Sequence, residues 1–117
     1  MGLSTHVLDT MHGTPAAGMR VALYATQGDS ATLLRDFVLN ADGRNPAGLL
    51  LDNASLQRGT YRLQFDVAAY FAARGVVLPE PNFLQRVNLD FGVADVGQHY
   101  HVPLLVSPWS YSTYRGS

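Results

Sequence analysis

Apolar and polar residues alternate along much of this chain, the pattern of strands with one buried face. Tyr61, Leu63, Phe65 and Val67 share one side, and Thr60, Arg62, Gln64 and Asp66 the other. Val87, Leu89 and Phe91 alternate in the same way with Arg86, Asn88 and Asp90. Over residues 19–25, Met19, Val21, Leu23 and Ala25 point one way, while Arg20 and Tyr24 point the other. Less regular strands are expected at 3–8, 31–39, around 48–51, at 98–106 and at 111–115. Between them lie Gly13-Thr14-Pro15, Gly28-Asp29, Asp42-Gly43 and Arg58-Gly59, where the chain reverses at low cost. Only residues 68–74 (AAYFAAR) read as helix: Ala-rich, free of β-branched residues and closed by Gly75, a surface connector of about two turns. About eight strands and one short helix predict an all-β fold, a two-sheet antiparallel β-sandwich. No repeat or linker divides residues 1–117, so a single domain is expected.

Strand parity also assigns faces. Tyr100, Val102, Leu104 and Val106 should fill the core, which leaves His99, His101 and Pro103 on the opposite side. His6 likewise lies opposite Leu3, Thr5 and Val7. These histidines therefore point away from the sandwich interior. In an isolated chain that face meets solvent; in an oligomer joined through the sheet it becomes the wall of a cleft.

Composition narrows the possibilities. Hydrophobic residues make up 47% and charged residues 15%, which suits a folded core. A net charge of −1 favours neither a nucleic-acid backbone nor an anionic membrane as partner, and a weakly charged surface suits self-association. With no cysteine, disulfides, thiolate metal sites and cysteine nucleophiles are excluded. The opening MGLSTHVLDT lacks the basic and apolar regions of a signal peptide, and His6 stands where a myristoylation signal wants Ser or Thr. No apolar stretch approaches the roughly 20 residues of a membrane span. A soluble, cytoplasmic protein is the expectation.

The densest polar chemistry lies in residues 99–117, HYHVPLLVSPWSYSTYRGS, where His99 and His101 are followed by Tyr111, Tyr114, Arg115 and Ser117. Chain ends usually fray, so this density points to a terminus built into a site. Taken alone, the His99/His101 pair suits a solvated strand face, two ligands of a metal, or acid–base work. His6 alone reads as a polar surface residue, and His12, in a turn, receives no role. Asp42-Gly43-Arg44 is either a hairpin with a solvated arginine or a rigid turn that aims a planar cation at an anionic or carbonyl-rich ligand. Neither a Gly-x-Ser-x-Gly elbow nor a Gly-rich phosphate loop occurs.

These motifs also carry a resemblance. Leu3-Ser4-Thr5-His6-Val7-Leu8-Asp9-Thr10, followed by Gly13-Thr14-Pro15-Ala16-Ala17, resembles the opening motif of the transthyretin-related family. Asp42-Gly43-Arg44 resembles its central motif, and residues 99–117 its C-terminal signature. The ending Tyr114-Arg115-Gly116-Ser117 is similar to the hallmark of the enzymatic branch, the 5-hydroxyisourate hydrolases, which the thyroid-hormone carriers lack. Phe83-Leu84-Gln85 and Trp109 depart from the usual family pattern, outside the catalytic motifs.

The resemblance implies a transthyretin (prealbumin)-like homotetramer with active sites at the dimer–dimer interface. It implies hydrolysis of a cyclic amide bond in 5-hydroxyisourate, yielding 2-oxo-4-hydroxy-4-carboxy-5-ureidoimidazoline. Carried over by motif, the catalytic residues are His6, Arg44, His101 and Ser117, and the substrate contacts are His6, Arg44, His99 and Tyr114. Neither metal nor cofactor is required. His101 is favoured as the base and His6 as the group that positions or polarises substrate, although the motif fits either order. Two other readings are a transthyretin-like small-ligand carrier and a metal-binding protein that uses His6, His99 and His101.

Overall fold

The structure, a computed structural model, describes residues 2–116. The chain folds into strands β1 (Gly2–Asp9), β2 (Thr14–Pro15), β3 (Arg20–Gln27), β4 (Ser30–Val38), β5 (Leu51–Asp52) and β6 (Gly59–Asp66). Helix α1 (Val67–Ala73) and strands β7 (Arg86–Val93), β8 (Tyr100–Val106) and β9 (Tyr111–Thr113) follow. One sheet runs β4-β3-β6-β7; the other runs β2-β1-β8-β9, with β5 also paired to β1. Leu3, Val7 and Leu104 from one sheet and Val21, Leu23, Leu63 and Phe65 from the other meet in the core, together with Phe71 of the helix.

The expected two-sheet sandwich is therefore present, with one pairing that the alternation did not specify. β1 and β8 run parallel, in register from Leu3↔Tyr100 through Ser4↔His101 and His6↔Pro103 to Asp9↔Val106. On the other side of β1, three short pieces cover the edge in turn. β5 pairs at Gly2 and Leu3, Gly43 pairs with Val7, and β2 pairs at Leu8 and Asp9. Thr14-Pro15, read as part of a turn, thus contributes a two-residue strand.

The helix is more than a surface connector, because Val67, Tyr70 and Phe71 are buried. Its end does follow the expected cap. Gly75, at φ 84°, lets its own N–H reach Ala72 O at 3.0 Å and the Val76 N–H reach Phe71 O at 3.1 Å.

Tyr70 takes part in a buried polar knot at the far end of β1. Its hydroxyl donates to Asp9 Oδ2 at 2.8 Å, and His12 Nδ1 donates to the same oxygen at 2.6 Å. The other oxygen, Oδ1, accepts the His12 backbone N–H at 3.0 Å. Arg74 donates to the Tyr70 hydroxyl at 3.1 Å and to Thr14 Oγ1 at 3.2 Å. Burial works to raise the Asp9 pKa, but these hydrogen bonds and the His12 charge outweigh it, and the carboxyl lies below its usual range. Asp9, fully buried, ties the 10–15 turn to the helix.

Candidate active site

The outer face of the β1/β8 pair gathers the polar groups. Parity puts Ser4 and His6 of β1 there, alongside His101 and Pro103 of β8 and His99 just before it. Ser4, His6, His99 and His101 are half-buried, as expected for an outward face; Pro103, in the middle of the sheet and flanked by β1 and β9, is buried. Inward-facing Thr5 is satisfied, since its hydroxyl donates to Val102 O at 2.7 Å.

Ser4 connects two of the histidines. Its Oγ lies 2.8 Å from His101 Nδ1 and 3.1 Å from His99 Nε2. Reasoning from sequence passed over this serine, although its place two residues before His6 already put it on the same face. A serine on a strand is too common to stand out without its partners.

Arg44 reaches this region through the 42–44 turn. Asn40 Oδ1 accepts the backbone N–H groups of Asp42 at 2.9 Å and Arg44 at 3.1 Å, and the Asn40 N–H donates to Arg44 O at 2.9 Å. Gly43 is buried at φ 73°, its carbonyl accepts the Val7 N–H at 3.0 Å, and an added Cβ would lie 2.5 Å from Val7 O. Only glycine fits so close to a strand backbone in this conformation. The turn is thereby fastened beside His6, with the Arg44 side chain exposed.

Electrostatics distinguish His101. Burial lowers its pKa, and the positive charge of Arg44, then of His6 and His99, lowers it further. The ring is thus held neutral near physiological pH, as a general base requires.

The C-terminal strand closes one side. After β9, Gly116 returns to β8, where its N–H donates to His101 O at 2.7 Å and an added Cβ would lie 2.6 Å from His101 Cδ2. Arg115 sits 4.1 Å above the Tyr100 ring and donates to His99 O at 3.1 Å. Ser117, expected in the catalytic set, lies outside the described residues. Tyr114 is exposed and lines a crevice of about 440 Å³ between the β7 and β9 edges, with Tyr100, Tyr111 and Arg115 but no histidine. The single chain therefore brings His6, His99, His101 and Arg44 together, and not Tyr114. Among the described residues no three His, Asp or Glu side chains are grouped as a metal site.

Comparison with known proteins places this geometry in context. Residues 3–116 match the HIUase/Transthyretin family. The chain is 52% identical over 115 residues to 5-hydroxyisourate hydrolase 2 of Rhizobium meliloti, covering 98% of this chain and 95% of that protein. Among solved structures, (S)-allantoin synthase superposes with a TM-score of 0.93 at 44% identity; the match covers 99% of this chain but 43% of that one. Sea bream transthyretin in complex with thyroxine superposes at 0.85 with 27% identity, covering 99% and 95%. The chain belongs to the HIUase/Transthyretin family.

Proposed function

We propose that this protein hydrolyses 5-hydroxyisourate. The carrying observation is a half-buried His101 beside His6, its pKa lowered by burial and by Arg44, on a face that resembles that of the hydrolases in motif. The Rhizobium meliloti hydrolase, alike over nearly the whole chain, supports the same reaction. A carrier pocket for an apolar ligand would converge mainly apolar groups, whereas this face converges imidazoles and a guanidinium.

In the proposed reaction His101 takes a proton from water as the water oxygen bonds to the cyclic amide carbonyl carbon. Arg44 stabilises the negative charge that develops on the carbonyl oxygen. The C–N bond then breaks, and the imidazolium returns its proton to the leaving nitrogen. His6 positions the substrate, with His99 at the margin. Ser117, whose hydroxyl and carboxylate suit orienting an imidazole or the water, completes the set.

A flat sheet face is open to water, so the proposed working form is a homotetramer in which another copy covers this face at a dimer–dimer interface. Tyr114 would reach substrate only through that assembly. No described helix is long and apolar enough to cross a membrane, and we place the reaction in the cytoplasm.

The test generates 5-hydroxyisourate from urate with uricase and follows the decay of its ultraviolet absorbance. Added protein should accelerate the decay equally with and without chelator. An unchanged rate would refute the hydrolase and leave the carrier; loss of activity in chelator would instead mark a metal-dependent enzyme.

A further inference from the structure

We propose that Ser4 is a positioning residue for the hydrolysis: its hydroxyl ties His101 Nδ1 to His99 Nε2 and so assigns the base function to His101 Nε2. This inference rests on the hydrolase reading above and adds to it a residue and a specific ring nitrogen.

The geometry leaves few choices. A serine hydroxyl has one proton to donate and lone pairs to accept with. Placed 2.8 Å from His101 Nδ1 and 3.1 Å from His99 Nε2, it can donate to only one of them. The other must carry its own N–H and donate to Oγ. When the Ser4 proton is spent within this pair, the facing nitrogens of the two rings hold opposite states, one protonated and one bare. When Ser4 donates to His99 Nε2, His101 carries its proton on Nδ1 and exposes a lone pair on Nε2. That is the tautomer a general base needs.

A second contact, independent of Ser4, holds the His101 ring in place. Gly116 crosses the Cδ2 edge of the His101 ring so closely that an added Cβ would lie 2.6 Å away. With Nδ1 engaged by Ser4 and this edge confined by Gly116, Nε2 is the ring nitrogen without a hydrogen-bond partner among the described residues. Among the described residues, the charged and titratable groups around the pair are His6 from β1, Arg44 from the 42–44 turn and Arg115, which binds His99 O at 3.1 Å. Among the described residues the hydrogen-bond partner of the His101 ring is Ser4. Nor is the hydroxyl needed to hold the strands together, because the β1/β8 register runs unbroken from Leu3 to Asp9.

The experiment compares wild type, Ser4→Ala, Ser4→Thr and the double variant Ser4→Ala/His99→Ala. Ser4→Ala should lower kcat by about 10- to 10²-fold with KM within about twofold and an unchanged melting temperature. Ser4→Thr, which keeps the hydroxyl, should restore most of kcat. The double variant should show the same His101 tautomer mixture as Ser4→Ala, because the hydroxyl, not the His99 ring, sets the proton on His101 Nδ1. Nitrogen NMR of histidine-labelled protein should show one dominant His101 tautomer in wild type and in Ser4→Thr, and a mixture in Ser4→Ala. An active wild type together with a Ser4→Ala protein of normal kcat and unaltered His101 ring shifts would overturn the role of Ser4. An inactive wild type would overturn the hydrolase reading instead, and the ring shifts would still decide whether Ser4 sets the tautomer.

Discussion

The two ends of β1 each bring a histidine to a short polar side chain, with opposite results. At the Asp9 end, a fully buried carboxylate is saturated by Tyr70, by the His12 ring and by the His12 backbone. At the Ser4 end, a neutral hydroxyl joins two half-exposed imidazoles, and the nearby charges are cations that disfavour a further one. The first arrangement satisfies both carboxylate oxygens and holds the turn and helix in place. The second leaves a ring nitrogen of His101 without a partner among the described residues and its proton affinity reduced. A histidine whose ring proton is bound to a buried carboxylate stabilises the fold, whereas one kept neutral beside cations is equipped to react.

The sharpest way to break this contrast is to remove the central group at each end. His101→Asn should lower kcat by about 10²- to 10⁴-fold and leave the urea midpoint of unfolding nearly unchanged. A variant that unfolds more readily in proportion to its lost activity would make His101 structural. Asp9→Ala should show the reverse, a loss of about 3 kcal/mol from stranding the His12 and Tyr70 donors. Its kcat per folded molecule, measured where the variant remains folded, should stay within about twofold of wild type.

Two smaller effects test the electrostatics. The acid limb of the kcat/KM profile should lie below the usual histidine value of about 6.5, because burial and Arg44 depress the His101 pKa. Arg44→Gln removes a positive charge, makes the imidazolium easier to form and should move that limb to higher pH, apart from any loss of rate. A limb that stays in place would separate Arg44 from His101. At the other end, the depressed Asp9 pKa adds stability above the unfolded carboxylate value of about 3.9, and this is lost as pH falls through the lower folded value. Tyr70→Phe, which deletes one donor, should cost about 1–2 kcal/mol at neutral pH and flatten the acid dependence of the urea midpoint.

Local geometry was legible in the sequence and long-range choice was not. Alternation assigned Tyr61, Leu63 and Phe65 to the core, and His6, His99 and His101 to the outer face, because side-chain parity needs only neighbouring residues. The 30–38 strand was less regular for a physical reason: it lies on a sheet edge and is mostly exposed, so little enforces its pattern. The parallel pairing of β1 with β8 had no local signal, since it depends on which distant strand closes the sheet. Ser4 was missed with it, because its meaning arises only when that pairing sets it opposite His101. The Asp9 knot was invisible for the same reason; its partners come from a turn and a helix 61 residues away. Arg44 was found by resemblance to a motif, while its position follows from the fit of Gly43 against Val7 O.

That parallel pairing also dictates when the site can exist. Ser4 and His101 are 97 residues apart, and synthesis proceeds from the N-terminal side. A growing chain therefore carries β1 with one long edge unmatched until β8 leaves the ribosome, an interval in which that edge is open to pairing with another chain. Closure of so distant a contact is slow relative to hairpins such as β3 with β4. The face that joins Ser4 to His101 can thus form only once β8 has been made, and a chain cut short of it lacks that contact.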